Sequence, residues 1–224
     1  MKLVLTSSDI KQKTILKQVL ELVGKPKKDI SVALIIDACA VETGDKKWLF
    51  NGINFLTKTF GGEIDLINLL ALDINEIKQR IIKADIIYCF GGNTEWLFKV
   101  FEKSGFNKLL PKLLETKVWI GSSAGSMILG KMPSTLAQSY IYKIDDFLGV
   151  NKYLELVNFS IIPHIFGDFT PSDAFSYCVE ESKAQKYPVY VLSDKSAVIV
   201  NGNKTYMVGS NCQKLLNGKI IEKI

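Results

Sequence analysis

Lys117-Val118-Trp119-Ile120-Gly121-Ser122-Ser123-Ala124-Gly125-Ser126 carries a short apolar run directly into Gly-x-Ser-x-Gly. Such a run reads as a buried strand, and two glycines around one serine read as a sharp turn into a helix. A side chain on either glycine would collide with the strand or the following helix, so the pair allows Ser123 to sit in a strained backbone. A strand-turn-helix unit with a serine at its apex places the chain among α/β folds. It also makes Ser123 the candidate nucleophile. A serine hydroxyl reacts only when a base takes its proton and donors hold the resulting oxyanion. His164 is the one histidine in the chain and therefore the candidate base.

Outward from that turn, β-rich runs alternate with amphipathic segments, which is the pattern of a parallel sheet covered on both faces. Strands are expected at Lys2 to Leu5, Ser31 to Ala38, Glu63 to Leu70, Asp85 to Phe90 and Lys117 to Ile120. Between them, Ile15, Leu16, Val19, Leu20 and Val23 have helical spacing before Gly24, and a second helix runs through Trp48 and Leu56 towards Gly61-Gly62. Asn75 to Lys83, Thr94 to Lys103 and Asn107 to Glu115 read as further helices, the last kinked or divided at Pro111. Lys131 to Gly149 reads as a long loop. After it come an extended Leu156 to Ile162, a helix over Asp173 to Lys183, and a strand over Val189 to Leu192. A hairpin about Asn201-Gly202-Asn203-Lys204 closes the pattern.

All 224 residues read as one α/β domain, with 47% hydrophobic and 23% charged residues. The net charge of +5 is spread along the chain and Arg80 is the sole arginine, so neither nucleic-acid binding nor a bidentate grip on anions is provided for. No run is long enough to span a bilayer and the amino terminus lacks a secretory pattern, which makes a cytoplasmic location the expectation. Cys39, Cys89, Cys178 and Cys212 lie far apart, as buried reduced thiols would. Without a Cys-x-x-Cys pair and with a single histidine, no metal site or other cofactor is expected. Oligomeric state, monomer or homodimer, is open.

Functional residues of an open parallel sheet gather at the carboxyl ends of its strands. Gly91-Gly92-Asn93-Thr94, Ser123, His164 and Asp194 all fall there. Ser123 would be nucleophile, His164 general base, and Asp194 the carboxylate that fixes the imidazole, with Asp145, Asp146 and Asp168 as alternative acids. The Ala124 N–H is one oxyanion donor, and Gly91-Gly92 can supply a second because it approaches without side chains. Asn93 and Thr94 either contact substrate or cap the next helix.

These motifs, in this order and approximate separation, resemble the peptidases of dipeptidase E (α-aspartyl dipeptidase) and cyanophycinase, family S51, across essentially the whole chain. The resemblance implies a three-layer α/β/α sandwich with a mostly parallel sheet, of class I glutamine-amidotransferase (flavodoxin-like) type, here with a carboxy-terminal β-hairpin. It also implies a serine peptidase with Ser123 as nucleophile, His164 as base, and Gly92 with Ala124 as oxyanion donors. The family's acid is a glutamate just after a strand, and Asp194 stands in its place, one methylene shorter. An α/β-hydrolase would put the acid before the histidine, an order that Asp145 or Asp146 would satisfy.

Dipeptidase E-like enzymes carry an arginine after the histidine that suits an aspartyl side chain. Here Ile165 to Asp173 contains no arginine or lysine, so Asp168 and Asp173 favour an ammonium or a neutral side chain over an anionic one. The expected partner is a short peptide, hydrolysed by an exopeptidase not restricted to amino-terminal aspartate. The alternatives are an inactive amidotransferase-like binding domain and an esterase or amidase of similar mechanism.

Overall fold

Successive strand and helix units wind into a seven-stranded sheet, seen in a computed structural model that describes residues 1–143, 147–167 and 170–224. Its first half consists of β1 (Lys2–Thr6), α1 (Lys13–Val23), β2 (Val32–Ile35), α2 (Lys47–Thr59), β3 (Ile64–Ile67), α3 (Ile74–Lys83) and β4 (Ile86–Cys89). Then come α4 (Thr94–Ser104), α5 (Phe106–Leu113, which tolerates Pro111), β5 (Val118–Ser122) and α6 (Ala124–Met127). The strand order is β3-β2-β4-β5-β1, all parallel. It is extended by the antiparallel hairpin β8 (Ser196–Asn201) and β9 (Lys204–Gly209).

Alternation along the strands explains the layers. Leu3, Leu5, Ile87, Cys89 and Trp119 pack with α3 to α6 on one face, while Val4, Ile86, Tyr88, Val118 and Ile120 pack with α1 and α2 on the other. This is the expected α/β/α sandwich with its mostly parallel sheet. All four cysteines are free and buried. Among the described residues, no helix is long and apolar enough to cross a membrane.

Two expectations are corrected. The stretch read as a loop over Lys131 to Gly149 contains α7 (Thr135–Tyr142), because Ser134 is a helix cap whose hydroxyl accepts the Ala137 N–H at 3.2 Å. Ala137 and Ile141, one turn apart, are buried beneath it. The strand at Val189–Leu192 (β7) does not extend the main sheet. It joins β6 (Ser160–Ile162), β10 (Cys212–Leu216) and β11 (Lys219–Lys223) in a second sheet ordered β11-β10-β7-β6. The β10–β11 pair, folded about Asn217-Gly218, was not expected from the sequence. α7 and α8 (Ala174–Ala184) pack on this second sheet.

β2 is only four residues long, and a single 3₁₀ turn over Asp37–Cys39 follows it. Asp37 there is 8% exposed, and its Oδ2 has no hydrogen-bond partner among the described residues. Burial pushes its carboxyl up to about 6, against the backbone N–H groups of Leu69 and Asp37 itself, which hold it down. The folded value lies above the unfolded 3.8, so this group's contribution to stability is complete below that value and is lost as pH rises through about 6. Asp37→Asn should therefore flatten the gain in stability between pH 7 and pH 5 by on the order of 1 kcal/mol. Parallel denaturation profiles for the two proteins over that range would refute the assignment.

Candidate active site

The turn after β5 is built from backbone and hydroxyl bonds. Ser123 has φ 50° and ψ −111°, outside the regions a side chain prefers. Its N–H donates to the Thr6 carbonyl at 3.1 Å. The Ser126 hydroxyl shares its one proton between Thr6 O at 2.7 Å and Gly121 O at 2.8 Å, and the Trp119 indole donates to Gly125 O at 3.0 Å. A Cβ on Gly125 would enter the Cys89 carbonyl, and one on Gly121 the Gly125 carbonyl, so both positions require glycine. Ser122 is tied down, its hydroxyl donating to the Ser8 carbonyl. Both serines line a cavity, and Ser123 Oγ there stands within hydrogen-bond distance of His164.

His164 and Asp194 follow β6 and β7, which pair in parallel and so bring both residues to one end of the second sheet. The Ile165 N–H donates to Leu192 O at 2.9 Å and fixes that junction. His164, with φ 67°, turns Nε2 to 2.9 Å from Ser123 Oγ and Nδ1 to 2.7 Å from Asp194 Oδ1. The hydrogen bond from His164, with a smaller contribution from Ser7, holds the Asp194 carboxyl below the usual carboxylate range despite its partial burial. Ser7, fully buried, accepts the His164 backbone N–H at 2.7 Å and donates to Asp194 Oδ1 at 2.7 Å.

The cavity holds about 570 Å³. One wall, from the end of β1 and the segment leading through α2, carries Asp9, Lys11, Glu42 and Trp48; another, from α6 and α7, carries Met127, Gln138 and Tyr142. Gly91 and Gly92 line it beside the serine, and a Cβ on Gly91 would stand 2.9 Å from that of Ser123. Gly92 has φ +134° and sits against the Ala38 carbonyl, a conformation and an approach that exclude a side chain. Thr94 reaches the cavity and is buried. Asn93, expected to contact substrate or cap a helix, does the latter, its side-chain oxygen accepting the Trp96 N–H at 2.8 Å. Asp173 accepts the Tyr140 hydroxyl at 2.6 Å and does not line the cavity. Asp145, Asp146 and Asp168 lie outside the described residues.

The family model of peptidase family S51 matches residues 3–208. The chain belongs to peptidase family S51. An uncharacterized peptidase of Listeria monocytogenes serovar 1/2a is 28% identical over 153 residues, covering 66% of this chain and 71% of the relative. One from Pasteurella multocida is 28% identical over 154 residues, covering 67% and 72%. Among solved structures, a candidate peptidase E from Listeria monocytogenes EGD-e superposes with a TM-score of 0.75 at 24% identity, covering 93% of this chain and 98% of its own. A peptidase from an acI-B1 Actinobacterium superposes with a TM-score of 0.68 at 16% identity, covering 98% and 96%. The family match makes the chain a peptidase, and the two superpositions support the fold.

In this S51 chain, sequence reasoning missed Ser7, Asp9, Lys11 and Glu42. Ser7 carries no motif, and only the register of β1 beside β5, Thr6 opposite Ser122, brings it to the site. Asp9 and Glu42 come from loops after β1 and β2, so their common cavity is a product of strand order. Among the described residues of the cavity, Asp9 and Glu42 bring acidic character from loops that precede His164.

Proposed function

We propose that the chain is a serine exopeptidase acting on dipeptides and other short peptides through an acyl-enzyme on Ser123. The reading rests on the unbroken chain of contacts from Ser123 Oγ to His164 Nε2 at 2.9 Å and from His164 Nδ1 to Asp194 Oδ1 at 2.7 Å, at the wall of a cavity. His164 Nε2 takes the serine proton as Oγ attacks the peptide carbonyl, and Asp194 stabilises the imidazolium. The N–H groups of Gly92 and Ala124 receive the oxyanion; Ala124 opens α6, where an N–H has no partner within the helix. Collapse expels the amine, which receives the proton from His164. Water then attacks the ester, gives up its proton to His164 and frees the acid and Ser123.

Selection follows from the cavity charges. Among its described residues, Lys11 is the one cation, and its ammonium is 2.6 Å from Asp9 Oδ2. Glu42 makes no hydrogen bond or ion pair through its side chain among the described residues, and Lys46, which acts on it electrostatically, donates to the Thr43 and Gly44 carbonyls. A free ammonium is welcome in such a cavity and an additional carboxylate is not.

Dipeptides with a neutral first residue should therefore be cleaved with a kcat/KM about tenfold or more above their aspartyl counterparts. A fluorophosphonate should modify Ser123, as read by peptide mass spectrometry. A folded protein with no adduct on Ser123 and no hydrolysis of any dipeptide in a broad panel would sink the proposal. A preference for aspartyl dipeptides would sink the selectivity alone.

A further inference from the structure

The nucleophile and its two partners stand on different sheets: Ser123 follows β5 of the main sheet, while His164 and Asp194 follow β6 and β7 of the second. Their relative position therefore has to be fixed by something that touches both. The end of β1 does so with two adjacent residues. Thr6 holds the serine turn, its carbonyl accepting from Ser123 N and Ser126 Oγ and its hydroxyl donating to Gly121 O at 2.9 Å. Ser7, next in the chain, reaches the second sheet through the two 2.7 Å bonds to His164 N and Asp194 Oδ1.

We infer that Ser7 is a positioning residue of the active site, a hydroxyl clamp that sets base and acid against the nucleophile. A serine hydroxyl has one proton to give and lone pairs to receive, and both capacities are used here. Its lone pair holds the backbone of His164 in a left-handed conformation that a non-glycine residue resists. Its proton goes to the same Asp194 oxygen that faces His164 Nδ1, and Ser7 Oγ itself lies 3.4 Å from that nitrogen. The carboxylate is thus held from two directions at one atom. Asp194 is half exposed, and without the buried hydroxyl only the contact with His164 Nδ1 would hold it against turning towards water.

The inference rests on the reading of Ser123, His164 and Asp194 as a catalytic unit. Ser7→Ala should lower kcat about tenfold or more, the scale of a hydrogen bond to a charged group, with KM within about twofold. Because the chain has one histidine, a single downfield imidazole N–H proton resonance is expected, and it should shift or vanish in S7A while the rest of the spectrum remains that of a folded protein. Ser7→Thr, which keeps the hydroxyl, should recover part of the loss. In an Asp194→Ala background the further change S7A should cost clearly less than it does alone, since residues acting as a unit are not additive.

An S7A protein with the parent kcat, an unmoved imidazole resonance, or losses that add in full with D194A overturns the assignment. If S7A does not fold, Ser7→Cys, nearly isosteric and a weak donor, meets the same criteria. Full activity in Ser123→Ala would remove the inference together with the reading beneath it, whereas an inactive S123A beside a fully active S7A removes the role of Ser7 alone.

Discussion

Replacing Ser123 by alanine is expected to lower kcat by on the order of 10⁴-fold or more, because the only atom removed is the one that forms the acyl bond. The fold should be unaffected. The Ser123 N–H bond to Thr6 and the bonds of Ser126 and Trp119 that shape the turn do not involve the Ser123 hydroxyl, and alanine keeps the Cβ. Binding of a dipeptide should persist, since the cavity walls are unchanged, and fluorophosphonate labelling should disappear. Ser122→Ala is the internal control: that hydroxyl is committed to the Ser8 carbonyl, so its loss should leave turnover within a few-fold of the parent, the ordinary cost of one neutral hydrogen bond. Purified S123A that still turns over dipeptides near the parent rate would place the nucleophile elsewhere.

What the amino-acid sequence reveals about this chain follows from how local each requirement is. The serine turn is legible because its pattern is local: a glycine two residues to either side of Ser123 marks an abrupt strand-to-helix turn, although the carbonyl that excludes a Cβ at Gly125 belongs to the distant Cys89. His164 is legible because it has no competitor. Alternating apolar residues in β1, β2, β4 and β5 announce a sheet with two covered faces, and both faces are covered. Pro133-Ser134 reads equally as a loop and as the start of a helix, and only the burial of Ala137 and Ile141 against the second sheet decides for α7. That sheet is itself illegible, because β6 pairs with β7 and β7 with β10 across intervening helix and hairpin. Ser7 belongs to the same class: an ordinary residue given its contacts by strand register and by a sheet assembled from the far end of the chain.

Asp194→Asn should reduce kcat by roughly 10³-fold or more at unchanged fold. Asp194 Oδ1 accepts from both His164 Nδ1 and Ser7 Oγ, and an amide cannot serve this arrangement as a carboxylate does. With its oxygen towards the ring, asparagine keeps the imidazole oriented but brings no negative charge to the imidazolium that forms as Ser123 attacks. With its nitrogen towards the ring, it opposes a donor to Nδ1–H and favours the tautomer protonated on Nε2, which cannot accept the serine proton. Stability should change little near neutral pH, because the side chain is half exposed. What the hydrogen bonds from His164 and Ser7 contribute through this carboxylate is present above its unfolded value and is lost as pH falls through the depressed folded one. Asp194→Glu restores the charge and the family's usual residue, yet it should remain slower than the parent: two bonds of 2.7 Å already converge on Oδ1, and an added methylene displaces that oxygen from both. Steady-state kinetics on the three proteins test this ordering, parent above glutamate above asparagine. An asparagine variant at the parent rate would mean that Asp194 is not the catalytic acid, and an equal or faster glutamate variant would mean that the clamp at Oδ1 does not set the geometry.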